Sequence, residues 1–450
     1  MVSLEADFAL HELFFSKTDF KGLIQTGNKV FLRVSEYHED EILRRPHNII
    51  RHPDMPRCVF KLFWSFLKSN RPICAYVKNQ SKSGRFYWVF AMAFPMGDGY
   101  LSIRLKPSTA LMCEIQTVYA DILKKEHEGA SMDDATAELL KVLQEKGFSS
   151  YEDFMNEALL AEMKSRDGLL TLTQENLLPT STSASGLLEG LLMASRACTE
   201  TARNAFRVAD QLSERTHTLK AKSQAIDEIC REVQMVTTNL TISAAKLGEV
   251  GKPLGVVSNN LEKLAQDILS NSLEFEKTFT SFHQATAGMY LAIGISRFQI
   301  EMMNHLIEET LHRENANSTI DEKQEQLLVQ NCDLLKQLIS ANFTIALATA
   351  KELTTKNKSL IRSISMLSKV TAGMDVICVV GKIEMSRVKE LSSSLDALLG
   401  DMEDLTESFK KILRAIESES KWGLGLSNEL REQLLFISQN LRKVDRAITA

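Results

Sequence analysis

Two long stretches of helical periodicity meet at a short break, and that break limits what the chain can fold into more than any other feature. From Leu188 a seven-residue repeat places Leu191, Cys198, Ala205, Leu212, Leu219, Ile226 and Val233 in one row. Leu188, Ser195, Ala202, Ala209, Thr216, Ser223 and Cys230 form its companion. This is the pattern of a coiled-coil seam with one bulky and one small-residue row. Gly248, Gly251, Pro253 and Gly255 then fall within eight residues. Glycine adds backbone freedom, and proline removes a donor and clashes with the preceding turn, so the helix cannot continue. Leu261, Leu264, Ile268, Phe275 and Phe282 resume a similar seam. The simplest geometry is an antiparallel helical hairpin with Ala244 to Val257 at its tip.

A chain of 450 residues has room for two or three domains, and 44% apolar with 25% charged residues is an ordinary globular composition. The net charge of -5 includes no basic block, which argues against nucleic acid as a partner. Apolar runs such as Met289 to Ile295 and Val376 to Val380 fall short of the ~20 residues that cross a bilayer. The N-terminus lacks the basic start and apolar core of a signal peptide, so a cytoplasmic protein without a membrane span is expected. Seven scattered cysteines with no CxxC spacing fit a reducing compartment and packed thiols. No HExxH, P-loop or Gly-x-Ser-x-Gly elbow occurs, and Gly423-Leu424-Gly425 lacks the strand and third glycine of a dinucleotide site. The expected class is non-enzymatic.

Aromatic residues, glycine and most prolines concentrate between Asp19 and about Lys106. This segment reads as a separate α+β domain. Gly22 to Thr26 predicts a short strand, Asn28 to Glu41 short helices, and Met55 to Leu67 a helix entered through Pro53 and Pro56. Ile73 to Gln80 and Arg85 to Phe94 flank a Ser81–Gly84 turn, and Tyr100 to Leu105 alternates as a further strand. Short helices set between the first and last strands of a small antiparallel sheet leave a concave face for a ligand.

The run Pro46-His47-Asn48-Ile49-Ile50-Arg51-His52-Pro53-Asp54-Met55-Pro56, followed by Val77-Lys78-Asn79 and Tyr87-Trp88-Val89, resembles the PAS sensor domain of bacterial aerotaxis receptors. In that family the domain holds FAD noncovalently and reports its redox state. The resemblance implies that Arg51, His52 and Asp54, with Asn28 and Asn79, bind the cofactor or shape its pocket. A guanidinium pairs bidentately with phosphate, and an amide or imidazole donates to flavin carbonyls and nitrogens. The bland alternative is a charge-paired, proline-stiffened loop that closes an empty pocket. Ile73 stands where the receptor has tryptophan and Met92 replaces a polar residue, which leaves loosely bound FAD, haem or no cofactor as alternatives. The Asn-Cys-Arg motif of flavin-adduct light sensors is missing.

Thr109 to Lys125, Asp133 to Lys146 and Tyr151 to Lys164 have helical spacing, and Leu178 to Gly186 reads as a linker. Ile226 to Leu264 resembles, without gaps, the cytoplasmic signalling hairpin of methyl-accepting chemotaxis receptors, through Ile226, Asp227, Ile229, Asn239, Ala244, Ala245, Gly248, Glu249, Gly251, Val256, Val257, Leu261, Lys263 and Leu264. That part of the family binds the chemotaxis histidine kinase and its coupling protein, which implies partner contacts at Asn239, Lys246 and Glu249. Arg231 replaces a phenylalanine used in packing dimers into trimers, Ser243 a glutamate, and Lys246 an arginine; Pro253 and Leu254 alter the turn. No Glu/Gln pairs in methylation context stand on either arm.

Beyond the polar break at His312 to Thr319, helices are expected over Gln324 to Thr354, Lys358 to about Ser418 and Leu430 to Ile448. The apolar stretch Gly373 to Met385 is expected at the centre of a bundle or in a dimer contact. The expected architecture is an α+β PAS domain (16–106), a helical connector (107–176), a long antiparallel hairpin (187–312) and a C-terminal helical bundle (320–450), assembled as a homodimer. Its expected function is redox, oxygen or energy sensing relayed to a chemotaxis kinase complex. The alternative is a scaffold in which the PAS domain only dimerises.

Overall fold

The computed structural model describes residues 5–172, 186–315, 322–387 and 393–449. The linker expected from Leu178 lies outside them, as does the end of the polar break at Thr319. The chain divides into two compact units: Met1–Glu200 with Gly294–Ser340 and Gln439–Ala450, and Thr201–Ile293 with Ala341–Ser438.

The first unit is built on an antiparallel sheet of β1 (Phe14–Thr18), β2 (Ile24–Gly27), β3 (Ile73–Gln80), β4 (Phe86–Met96) and β5 (Gly99–Leu105), in the order β2-β1-β5-β4-β3. Between β2 and β3 lie α1 (Lys29–Ser35), α2 (Glu39–Ile42), a 3-10 turn (His47–Ile50) and α3 (Arg57–Lys68). This is the α+β PAS architecture. β1 was not foreseen: Phe14 and Phe15 are adjacent and both fully buried, so the strand shows no alternation. It lies inside the sheet, paired to β2 and β5. α4 (Ala110–His127), α5 (Met132–Glu145) and α6 (Tyr151–Leu172) follow, close to the three expected connector helices.

Four long helices complete the chain: α7 (Gly186–Lys246), α8 (Lys252–Asn315), α9 (Glu322–Ser386) and α10 (Ser393–Thr449). In the second unit they close a ring. Thr241 of α7 bonds Ser258 of α8 at 2.6 Å, and Lys356 of α9 reaches Ser281 of α8. Lys382 of α9 pairs with Glu403 of α10 at 2.5 Å, and Arg215 of α7 pairs with Glu419 of α10 at 2.6 Å. Buried residues step by alternating threes and fours along α7 (Ala202, Ala205, Ala209, Leu212) and along α10 (Leu395, Leu399, Met402, Thr406), as knobs-into-holes packing requires. α8 keeps the same alternation at Leu254, Ser258, Leu261 and Ala265.

The helix break expected between Thr354 and Lys358 is absent, because α9 runs through it. Thr354 returns its hydroxyl to the Ala350 carbonyl at 3.1 Å, which satisfies the side chain without interrupting the ladder. Leu353, Asn357 and Leu360 meanwhile keep the core row buried. The break expected between Ser418 and Leu430 is likewise bridged by α10. The apolar stretch from Gly373 is only partly internal: Met374 and Cys378 are buried, while Val376 is 64% exposed and Val379, Val380 and Ile383 are exposed too. Contrary to the sequence expectation, α9 contains a window long and apolar enough, by length and composition, to cross a bilayer. All seven cysteines are free, and Cys113 is the exposed one.

Candidate cofactor pocket and partner-facing tip

Strand alternation turns one face of the sheet toward α3. Ser16 and Thr18 of β1, Val77 and Asn79 of β3, Ala91 and Ala93 of β4, and Tyr100, Ser102 and Arg104 of β5 line a cavity of about 120 Å3. The facing wall is one helical stripe, Phe60, Phe63, Trp64 and Leu67, at spacings of three, one and three. His47, Asn48 and Arg51 close the end. Trp64 meets Tyr100 edge-on at 5.4 Å. The cavity therefore keeps an aromatic wall, supplied by α3, although Ile73 and Met92 are not part of its lining.

Arg104 is the unexpected member. It is 3% exposed, and its Nη2 donates to Ser16 Oγ and His47 Nε2, each at 2.6 Å. Its Nη1 is buried without a hydrogen-bond partner. Burial brings its pKa down to about 10. Burial first, and the neighbouring guanidinium second, hold His47 well below the usual imidazole value. A neutral His47 accepts through Nε2, as the arginine contact requires. The Phe31 ring lies beneath both, 5.9 Å from the imidazole and 5.4 Å from the guanidinium carbon. A buried cation with an unused donor on a cavity wall is costly unless something accepts from it.

The five residues expected in the pocket separate. Arg51 and Asn79 line the cavity and are bridged to each other across the backbone. Arg51 donates to the Met55 carbonyl at 2.8 Å and lies 4.2 Å over Phe60. His52 and Asp54 stand outside the lining. The Asp54 amide donates to His52 Nδ1 at 3.1 Å, and the Asp54 carboxylate holds Lys78 at 2.6 Å, so they tie the loop to β3. The lysine hydrogen bond lowers the Asp54 pKa, while burial and then Lys78 lower that of His52. Asn28 caps α1: its Oδ1 accepts from Phe31 N at 3.1 Å and Phe15 N at 3.0 Å, and its Nδ2 donates to the Leu13 carbonyl at 2.8 Å. Both its Oδ1 and its Nδ2 are thus engaged with backbone groups away from the cavity. His47, Trp64 and Arg104 were missed; an arginine inside an alternating apolar strand was the available signal.

A second set of buried polar groups joins this domain to α8. Glu162 of α6 is fully buried and accepts from Tyr76 Oη at 2.9 Å, Thr109 Oγ1 at 2.6 Å and Ser108 N at 2.6 Å. One turn on, Arg166 pairs with Glu301 of α8 at 2.6 Å and donates to the Leu10 and His11 carbonyls just before β1. Arg297 of α8 bonds Glu301 at 3.1 Å and Asp167 at 2.6 Å.

At the α7–α8 reversal, Gly248 takes φ +59, and a methyl on Gly251 would run into the Ala244 carbonyl. Lys246 and Glu249 are exposed, with Glu249 paired to Lys252. Asn239 is exposed on a groove between α7 and α8 that also holds Arg231, Gln234, Met235 and Glu262.

Residues 26–100 match the PAS fold family model. The chain is 38% identical over 109 residues to the aerotaxis receptor of Escherichia coli K12, covering 23% of this chain and 22% of that protein. It is 27% identical over 77 residues to the frizzy aggregation protein FrzCD of Myxococcus xanthus, covering 17% and 18%. The matches thus span about a fifth of these relatives. Among solved structures, the PAS domain of a Colwellia psychrerythraea protein is similar at 19% identity and a TM-score of 0.19, over 21% of this chain and 85% of that one. The light state of the Aureochrome1 LOV domain is similar at 19% identity and a TM-score of 0.21, over 24% and 91%. With its pocket and its hairpin both described, the chain joins an aerotaxis-receptor-like PAS domain to a chemoreceptor-like helical region.

Proposed function

We propose that the chain is a non-enzymatic, cytoplasmic signal transducer of the chemotaxis type. It reads redox or oxygen state through a flavin in the PAS cavity and relays it along the helices to a chemotaxis histidine kinase and its coupling protein. The observation that carries this reading is Arg104, a buried cation whose Nη1 donor has no partner and which lines an aromatic-walled cavity. The donor set fits an anionic or carbonyl-rich planar ring: Arg104 with Asn79 and Arg51 for hydrogen bonds, and Trp64 for a wall. At about 120 Å3 the cavity lies below the roughly 300 Å3 of common ligand pockets, so its walls part on binding. A flavin supplies redox chemistry there.

The protein's own part is to convert a changed acceptor into a changed packing. Arg104 holds Ser16 of β1, and the carbonyls leading into β1 are held by Arg166, which is paired to α8 through Glu301. A shift at Arg104 therefore bears on α8 through one strand and one buried ion pair. The two redox states must favour different packings by a few kcal/mol, because a ligand indifferent to both shifts nothing. At the tip, exposed Asn239, Lys246 and Glu249 are assigned to the partner.

Visible absorption of the purified protein, as isolated and after incubation with FAD, tests the reading. A flavin spectrum that Arg104→Met abolishes while the far-ultraviolet circular dichroism is unchanged is the expected result. A protein that takes up no FAD refutes the redox reading, and a Soret band substitutes haem.

A further inference from the structure

We propose that α9–α10 is a built-in mate for the α7–α8 hairpin, filling within one chain the face on which a second copy's hairpin would dock. This stands whether or not the PAS cavity holds a flavin.

The two hairpins are set in register. Gly381 of α9 is five residues before Ser386, where that helix ends, and Leu399 of α10 is six residues past Ser393, where the next begins. A Cβ on Gly381 would stand 3.2 Å from Leu399 and 3.1 Å from Val257. Val257 is itself six residues past Gly251 of the α7–α8 turn. The reversals of both hairpins therefore lie at the same end of the unit. About thirty residues further along, Gly423 of α10 meets Asn357 of α9 and Leu212 of α7, and Lys356 of α9 meets Ser281 of α8.

The fit is that of a key to its own lock. Gly381 of the second hairpin stands where Val257 of the first intrudes, since a Cβ there would come within 3.1 Å of it, while Gly423 and Gly373 leave room for ordinary contact with Leu212 and Leu264 at 3.6 and 3.4 Å. The core rows of α7–α8 carry no glycine between Ala202 and Ile293; Gly255 and Gly288 lie off the rows with open space around them. A second α7–α8 hairpin would set a side chain at the place of Gly381, and overpacking of that kind is destabilising. Four helices with short reversals bury their facing core rows, the condition for a closed four-helix bundle. Val376, Val379, Val380 and Ile383 are exposed on the outside of α9, away from the rows that face α7, α8 and α10, so a separate copy has no vacant core face to enter.

The test uses the full chain in a Cys113→Ser background, because Cys113 is the exposed native thiol. Ser281→Cys and Lys356→Cys place one thiol on α8 and one on α9, and a short bismaleimide joins them. The expected product is a single chain of unchanged size, 50.6 kDa plus linker, in equal yield across a hundredfold dilution. A covalent dimer as the main product, or two reactive thiols that fail to join, overturns the proposal. Gly381→Leu supplies a second reading: it should lower the melting temperature of the helical signal by several degrees, and an unchanged melt also overturns it.

Discussion

Glu162→Gln is the sharpest probe of how the PAS domain is tied to its connector. The carboxylate is fully buried and takes hydrogen bonds from Tyr76, Ser108 and Thr109. A glutamine keeps one acceptor oxygen. If that oxygen serves the Ser108 amide, the NH2 group faces Tyr76 and Thr109. Their hydroxyls can rotate to accept, but the Thr109 backbone N–H, now 3.3 Å from Oε1, cannot. Two short charge-assisted bonds then weaken from about 1.5–3 to about 1 kcal/mol each, and one buried N–H is orphaned at about 1–3 kcal/mol. The sum is a loss of about 2–7 kcal/mol. Urea unfolding followed by the fluorescence of Trp64 and of Trp88, which stacks on Tyr119 of α4 at 6.5 Å, reads this within the PAS domain in a Trp422→Phe background. With a slope of about 2 kcal/mol per molar, the midpoint should fall by roughly 1–3.5 M. Tyr76→Phe should cost about 1 kcal/mol alone and less when combined with Glu162→Gln, because the two share one bond. A midpoint shift under about 0.3 M for Glu162→Gln would falsify the claim that this carboxylate organises the junction.

Asn357 is 1% exposed with neither side-chain atom hydrogen-bonded, so Asn357→Leu should raise the melting temperature of the helices; differential scanning calorimetry measures it, and a lower value would point to an internal water bonded there. His47 is buried and its folded pKa lies below the ordinary 6.5, so the unfolded chain binds the extra proton first. Stability is therefore full above pH 6.5 and falls below it by up to about 1.4 kcal/mol per pH unit. Denaturation at pH 7.5 and 5.5 should show His47→Gln losing less than the parent; equal losses count against the assignment. Gly251→Ala should open the reversal to limited proteolysis between Lys246 and Lys252, several-fold faster than the parent, because the methyl meets the Ala244 carbonyl; an unchanged cleavage rate would show that the turn has room.

Where turn chemistry marked a strand end, the sequence was nearly sufficient. Ile73–Gln80 stands as read, since the glycine turn after it marked its end. β1 was invisible because its two phenylalanines are buried on opposite faces, which erases the period of two. Arg51 was legible through its motif, whereas Arg104 looked like a polar position on an alternating strand. Its meaning comes from what surrounds it: Ser16 from β1, His47 from the 3-10 turn and no carboxylate among its hydrogen-bond partners. Asn28 misled for the opposite reason, since a capping amide and a ligand-binding amide look alike until their partners are known. The polar break at Thr354 to Lys358 was a fair local inference that tertiary packing of Leu353 and Leu360 overrides. The strict three-four spacing in α10 was available in the sequence and would have shown a second hairpin like the first.

The unbroken row of α8 at Leu254, Ser258, Leu261 and Ala265 bears on how the bundle can yield. A 3.5-residue repeat imposes a left-handed supercoil, and only an inserted step of three or four would relax it locally. α7 keeps the same repeat through Cys230, Val233, Thr237, Leu240 and Ala244, so both arms stay wound up to the Gly248–Gly251 turn. With no slack point to absorb torsion, a twist given to one arm reaches the reversal undiminished. The hairpin works as a stiff shaft.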